Sequence, residues 1–370
     1  MDILKEIEEK NSVLVDGIIF TFTKDKSVGL YDKAVGDIYH SIYGAKDESR
    51  EKFIKPLTVN KNFYRKKNMN ILDICYGIGY NTKSFLEKYL NLNCDAKLNI
   101  DILENDKKLV LMSPFIKDRY FKSNSEISYL LIRALFDEIE NNSEYLYKVI
   151  DNNDIKKYFE PYYVKYLSKY TNKGYRLILQ DNKNRFLHNI YYHCVSRRNK
   201  TPYNCRRINN ITITPYIGDA RTSVQTLKKE YDAIFLDAFT PAKLPTLWSI
   251  DFFNELYKLS SYDCMLLTYS TAASVRNAMV QSGFYIGKIL DKNNKPCGTV
   301  ATKNKLLIEH ELSHYEIKLL ETKAGIFYED KYLSNIPQEI LKNHELKLLN
   351  SNLESSSHFV KKYNKEKINA

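Results

Sequence analysis

The stretch from Ile71 to Glu104 admits few folds. Ile71-Leu72-Asp73-Ile74-Cys75 is a short apolar run of the kind that makes a buried strand. Tyr76-Gly77-Ile78-Gly79-Tyr80 follows as a tight turn. Asn81 and Thr82 open a helix with apolar positions at Phe85, Leu86 and Leu90, and Leu98–Glu104 returns as a second strand. Strand, glycine turn, helix, strand begins a parallel α/β sheet, because parallel strands need a crossover connection. The pattern resumes downstream. Residues 211–217, 231–236 and 264–269 read as strands, and 250–259 and 272–281 as helices, the second closed by Ser282-Gly283. Residues 284–290 and 298–303 read as a closing antiparallel hairpin.

Three additions surround this centre. Asp16-Gly17 lies between two β-rich runs, a hairpin signal, and a polar stretch continues to about Arg50. Residues 105–210 form a long interlude, with helical patterns at 126–140 and 155–170. A connection of that length carries its own fold or function. Residues 304–350 read as helical and polar, and the last residues as a frayed tail. The expected organisation is an N-terminal β-hairpin extension over 1–65, an α/β domain over 66–302 with the 105–210 insertion, and a C-terminal helical extension over 303–370.

Composition narrows the partners. Lys and Arg number 56 against 45 Asp and Glu, a net charge of +11. That balance suits a polyanion such as nucleic acid. An A- and T-biased genome gives the same Lys-, Asn- and Tyr-rich vocabulary, so charge alone leaves both readings open. No run of 18 uncharged apolar residues occurs, so no membrane-spanning helix is expected. The N-terminus has no secretory pattern, which makes the cytoplasm the expected compartment. The six cysteines lack metal or redox spacing. His310-Glu311-Leu312-Ser313-His314 fits a zinc-protease pattern, but neither Glu321 nor Glu329 stands out as a third ligand. No metal is expected.

The candidate chemistry sits at strand ends. Gly77 and Gly79 permit close approach of a ligand to the backbone. Glu104 lies about 25 residues beyond Gly79, near the spacing of roughly 20 at which an acid reaches ribose hydroxyls. Asp219 and Asp237 also follow predicted strands, where ligands of open α/β sheets bind. Three such acids suit a ligand with hydroxyls, an amine and a positive centre, as in S-adenosylmethionine; capping of the following helices is the alternative. The loop from Asp237 to Trp248 holds Pro241, Lys243, Pro245 and the sole Trp. It is either a stiff substrate-holding loop or a rigid connector.

Several separated blocks resemble the MnmC-like tRNA methyltransferases. Asp37-Ile38-Tyr39-His40-Ser41 is similar to that family's N-terminal block, and Tyr76-Gly77-Ile78-Gly79-Tyr80-Asn81 to its cofactor turn. Phe235-Leu236-Asp237-Ala238-Phe239-Thr240-Pro241-Ala242-Lys243, through Trp248, resembles its most specific signature. Thr268-Tyr269-Ser270-Thr271-Ala272 with Val275-Arg276, then Gly283-Phe284, resembles the block that follows. Cys75 and Ala238 stand where glycine is usual, and Ile78 where threonine is. The segment after residue 302 holds no second dinucleotide turn, so the resemblance is to the stand-alone type without the flavin-dependent half.

The resemblance implies a Rossmann-like methyltransferase fold. It implies methyl transfer from S-adenosyl-L-methionine to the exocyclic amine of 5-aminomethyl-(2-thio)uridine at the tRNA wobble position. Tyr76, Gly77, Gly79 and Asn81 would form the cofactor turn, Glu104 would hold the ribose and Asp219 the adenine amine. Asp237 would be the catalytic carboxylate. Tyr39, Lys243, Trp248 and Arg276 would meet the substrate, with Lys243 and Arg276 on phosphates of the anticodon stem-loop. Tyr191, Tyr192, Arg197, Arg198, Arg206 and Arg207 would stack on or neutralise RNA. A small-molecule amine methyl- or aminopropyl-transferase, or a decayed RNA-binding relative, would share the fold.

Overall fold

A computed structural model describes residues 13–15, 17–39, 44–92, 96–117, 121, 123–160 and 208–368. Strands β1 (Val13–Val15), β2 (Ile18–Phe22), β3 (Val28–Asp32) and β4 (Asp37–Tyr39) make a four-stranded antiparallel sheet in chain order. Val15 faces Ile18 across the expected two-residue turn, with Gly17 at φ 84°. The polar stretch that follows Lys24 holds two further strands, β3 and β4, which the sequence pattern did not mark. Their connection to β2 is organised by Asp25 Oδ1, which accepts from Thr23 Oγ1 (2.6 Å), Ser27 N (2.9 Å) and Ser27 Oγ (2.6 Å). Val28 and Leu30 are fully buried beyond it. Gly29 between them, and the short lengths, conceal the period-2 pattern.

The central sheet contains β5 (Asn68–Ile74), β6 (Lys97–Glu104), β7 (Ile211–Ile217), β8 (Tyr231–Leu236), β9 (Ser260–Thr268), β10 (Tyr285–Leu290) and β11 (Pro296–Thr302). Its order is β10-β11-β9-β8-β5-β6-β7. The pairs β5–β8, β8–β9 and β6–β7 are parallel, and β9, β11 and β10 are joined antiparallel, as the closing hairpin predicts. Pro215 has no N–H to donate, and its strand β7 lies at the sheet's edge.

Two compact units divide the chain. The first comprises Met1–Arg50, Tyr64–Met69 and Tyr76–Ile217. In it Ile100, Ile102 and Leu103 of β6 are buried, as are Leu130, Leu131 and Ile132 of the helix Asn124–Ala134. Arg133 of that helix donates from Nη2 to the carbonyl oxygens of Ile208 (3.1 Å) and Ile211 (2.5 Å), which secures the start of β7. In the described part of the 155–170 pattern Lys156–Tyr158 form a short turn, and residues 161–207, with the rest of that pattern, lie outside the described ones.

The second unit comprises Glu51–Phe63, Asn70–Cys75 and Gly218–Ala370. Strand β8 is buried at all its positions. Phe252 and Leu256 of the helix Ile250–Leu259, and Val275 and Met279 of the helix Ala273–Gln281, add to this core. The end of the chain is helical rather than frayed, over Ser356–Ile368. Tyr315 anchors it against the rings of Phe359 (centroids 5.5 Å) and Tyr363 (4.7 Å). Two aromatic anchors in a Lys- and Asn-rich segment are too sparse to register as an amphipathic pattern. No helix among the described residues is long and apolar enough to cross a membrane.

Arg133→Ala removes a charged donor shared by two carbonyls. The first unit is expected to lose about 1–3 kcal/mol, the scale of hydrogen bonds to a charged group. Urea unfolding followed by circular dichroism checks it, and an unchanged midpoint contradicts this role for Arg133.

Candidate active site

The glycine turn belongs to the first unit from Tyr76 onward. After β5 the backbone is left-handed at Cys75 (φ 62°), Gly77 (φ 56°) and Gly79 (φ 85°). Cys75 therefore stands in a conformation that favours glycine, at about 1–2 kcal/mol. Tyr76 donates its N–H to Leu103 O (3.1 Å), and its ring folds back over Gly79. A Cβ on Gly79 would lie 2.3 Å from Tyr76 Oη. Ser113 Oγ donates to Ile78 O (2.8 Å), so the 2.6 Å contact between Tyr76 Oη and Ser113 Oγ has the tyrosine as donor. Tyr76 is 2% exposed. Its hydroxyl braces the turn. Asn81 is buried in the first turn of the helix Tyr80–Leu90.

Glu104, at the end of β6, meets the same turn. Its Oε2 accepts from Gly77 N (2.8 Å) and its Oε1 from Asp106 N (2.9 Å). Burial pushes the carboxyl above its ordinary value, while the Asp106 and Gly77 N–H groups pull it back. The helix Lys107–Met112 is capped by Asp106, which accepts from Lys108 N (2.8 Å), so Glu104 is not spent on capping. A carboxylate has about four lone-pair sites, and the N–H groups of Gly77, Asp106 and Asn105 use up to three. Glycine backbone beside a carboxylate with acceptor capacity fits a ligand with vicinal hydroxyls, such as the ribose of S-adenosylmethionine.

In the second unit, β8 delivers Asp237. Ile74 pairs with Leu236, and Asp237 N donates to Ile74 O (3.3 Å). The residues after Asp237 are fastened at successive carbonyls. Tyr269 Oη donates to Ala238 O (2.8 Å) and Trp248 Nε1 to Phe239 O (2.8 Å). The Trp248 and Tyr269 rings meet edge-on at 6.0 Å. Lys243 N and Leu244 N both donate to Thr240 O, at 2.9 Å each. Trp248 is 0% exposed, so it is a pin for the loop and not an open substrate platform. Lys243 is exposed on the loop.

Two other expected ligands are engaged internally. Asp219 caps the helix Ala220–Thr226 by accepting from Arg221 N (2.8 Å) and pairs with the Arg221 guanidinium (2.7 Å). Burial would raise its pKa, but the Arg221 side chain and N–H hold it below the ordinary value. Helix capping accounts for this acid. Arg276 is 4% exposed and donates to Thr299 Oγ1 (2.9 Å) and Glu316 Oε1 (3.0 Å). Buried and engaged, it ties elements of the second unit together and does not present an open guanidinium to phosphate. The basic residues between 191 and 207 lie outside the described ones. Ser313 caps the helix His314–Leu320, so His310 precedes that helix and the two histidines share no helix face. Among the described residues no group of three His, Cys, Asp or Glu could hold a metal ion. Ser113 and Tyr269 have positions that residue-by-residue reading missed. Ser113 has no sequence signal, whereas Tyr269 lies inside the block after the Asp237 loop.

A family described as S-adenosyl-L-methionine-dependent methyltransferases matches residues 183–304, a span that includes the Asp237 loop. The bifunctional tRNA 5-methylaminomethyl-2-thiouridine biosynthesis protein MnmC of Azoarcus is 33% identical over 26% of this chain and 18% of its own length. Over these segments the chain is similar to the MnmC methyltransferases. An uncharacterized protein of Methanocaldococcus jannaschii is 25% identical over 93% of this chain and 74% of its own. The crystal structure of MnmC2 from Aquifex aeolicus shares the fold, with TM-score 0.61 and 23% identity over 94% of this chain and 91% of that one. The matches to the bifunctional MnmC proteins span far less than two thirds of those proteins.

Gly79→Ala is expected to destabilise the first unit by about 2 kcal/mol or more, since left-handed strain adds to the clash with Tyr76; wild-type stability in urea contradicts the brace. Glu316 gives a pH signature. Against its burial, the Ser313 N–H, Lys288 and Arg276 bring its carboxyl down to about 2 from 4.5. Its contribution is therefore present above pH 4.5 and is lost as pH falls toward 2. Glu316→Gln should be less stable near neutrality and lose less stability through that window. Parallel acid titrations of the two proteins would refute the assignment.

Proposed function

We propose that this MnmC-like chain methylates the exocyclic amine of 5-aminomethyl-(2-thio)uridine at the tRNA wobble position, giving the 5-methylaminomethyl form. The observation that carries the reading is the Asp237 loop. A carboxylate leaves the end of a buried parallel strand, and the next two carbonyls are clamped by Tyr269 and Trp248. The MnmC relatives, named for tRNA 5-methylaminomethyl-2-thiouridine biosynthesis, support the substrate, and the net charge of +11 suits a polyanionic partner.

S-adenosyl-L-methionine supplies an electrophilic methyl group. In this reading the Gly77–Gly79 turn and Glu104 hold it. The substrate amine is largely protonated near neutrality and attacks only as the free base. Asp237 would orient the ammonium and accept its proton, freeing the amine lone pair for methylation. Positioning supplies most of the rate, and the carboxylate adds proton transfer. Lys243, exposed on the same loop, contacts phosphate of the anticodon stem-loop.

Asp237→Asn should keep the fold and cofactor affinity and lower the methylation rate by about 10²–10⁴-fold, the scale of a general base. The activity optimum should move to higher pH, where solution supplies the free amine. The assay is mass spectrometry of nucleosides from tRNA carrying the aminomethyl group. Wild-type rate and pH profile would reduce Asp237 to a structural residue, and wild-type enzyme inert on that tRNA would overturn the substrate.

A further inference from the structure

We infer that Arg276 is a positioning residue for Asp237, acting through Thr299 and the loop that follows β9, and that Glu316 of the C-terminal extension holds it in that role. The inference rests on the reading of Asp237 as the carboxylate that handles the substrate amine. All of its geometry lies within the second unit. The Asp237 loop is clamped by Tyr269, whose hydroxyl donates to Ala238 O. Tyr269 directly follows β9, so the clamp is only as well placed as the backbone at Tyr269 and Ser270.

Side chains fix that backbone where the strand ends. Thr299 Oγ1 donates to Ser270 O (2.7 Å). The same oxygen accepts Arg276 Nε (2.9 Å). A guanidinium can only donate, so the direction of both bonds is set. Thr299 of β11 stands opposite Thr268, the last residue of β9. Beside it Gly298 lets β11 close on β9, since a Cβ there would collide with Thr268 O. Thr268, Ser270, Arg276 and Thr299 are all buried. Arg276 Nη1 donates to Glu316 Oε1 (3.0 Å), while Nη2 is buried with no acceptor among the described residues. Glu316 is itself pinned, its Oε2 accepting from Ser313 N (2.9 Å) and Lys288 Nζ (3.0 Å). The hydrogen-bonded series runs from Glu316 through Arg276 and Thr299 to Ser270, whose neighbour Tyr269 clamps the residue after Asp237. A connected polar series buried in this way defines one geometry. Misplacing a reacting group by about 1 Å costs on the order of 10²-fold in rate, so that definition matters to catalysis.

The test compares variants of the full chain by rate and pH profile on tRNA carrying the aminomethyl group, by thermal melt, and by acrylamide quenching of Trp248. Trp248 is the sole tryptophan and is buried at the end of the Asp237 loop, so it reports loop order without turnover. Thr299→Val keeps the branched shape and loses the bridge. It should lower kcat on the order of tenfold. It should also move the activity optimum upward, as Asp237→Asn does, leave affinity for S-adenosyl-L-methionine unchanged and make Trp248 easier to quench. Thr299→Ser keeps the hydroxyl and should behave as wild type. Arg276→Lys keeps the charge without the fork that spans Thr299 and Glu316, and it should fall with Thr299→Val. Asn277→Ala, next on the same helix, breaks a bond to Gly325 O (2.8 Å) outside the series. It should melt lower yet keep the wild-type rate and quenching. Thr299→Val or Arg276→Lys with wild-type rate and quenching overturns the inference. So does Asn277→Ala with the same losses as Thr299→Val, which would make them general loosening. Wild-type chain inert on that tRNA would overturn the substrate reading instead, and Trp248 quenching would still decide whether the series orders the loop.

Discussion

The hydrogen bond from Gly77 N to Glu104 Oε2 is the constraint on which the candidate cofactor site depends. It joins the end of β6 to a turn that no regular secondary structure would hold. The turn has few ladder partners of its own, so its shape comes from groups around it. Glu104 takes the Gly77 N–H, and Leu103 takes the Tyr76 N–H. The Tyr76–Ser113 pair reaches the carbonyl of Ile78. Each of these bonds is worth about 0.5–3 kcal/mol, and the charged one lies at the upper end. Burying Glu104 opposes its ionisation, so the carboxylate that fixes the turn is also in an environment that favours additional donors. Hydroxyls on a ligand would relieve that cost, so the acid that braces the turn is also suited to receive them.

The Asp237 loop is solved differently. Pro241 and Pro245 restrict the backbone by covalent geometry. Trp248 and Tyr269 then take the carbonyls of Phe239 and Ala238. Ring and indole donors are suited to this work because their apolar bodies bury while one polar atom reaches a defined acceptor. Stiffening the loop beforehand spares substrate binding an ordering cost. Fixing one free residue costs about 1–2 kcal/mol, so a loop left flexible would draw that amount from substrate binding at each position it had to order.

Much of this was legible in the sequence because the signals were local. The β5 run, the glycine turn and the β6 run are contiguous, and the pairing of Asp16-Gly17 with its flanks needs only a few residues. Glu104 was legible through its distance from Gly79. Less legible was whatever depended on partners far along the chain. Asp219 and Glu104 look alike as acids after strands, yet Arg221 claims one and the Gly77 N–H meets the other. Arg276 reads as a cation available for phosphate until Glu316, forty positions later, is found against it. Trp248 reads as a platform until its burial is known. Strand β3 and the final helix were missed for a different reason: a glycine interrupts one, and only two aromatic anchors mark the other.

The departures from the family's glycines are accommodated, and the magnitudes explain how. At Cys75 the left-handed backbone costs a non-glycine residue about 1–2 kcal/mol. Glycine there would itself lose about 0.5–1 kcal/mol more conformational entropy on folding than a residue with a side chain. The net penalty is therefore roughly 1 kcal/mol or less, smaller than the combined hold of Glu104, Ser113 and Leu103 on the residues that follow. Ala238 is simpler still. Among the described non-glycine residues only Lys26, Cys75, Asn294 and Leu333 have positive φ, so the alanine needs no glycine-like freedom. Its Cβ is buried and its carbonyl is free to receive Tyr269. Ile78 is buried, so the site where threonine is usual has become part of the core while its carbonyl still serves Ser113. At Ile78 and Ala238 the carbonyl keeps the hydrogen bond that shapes the site whatever the side chain.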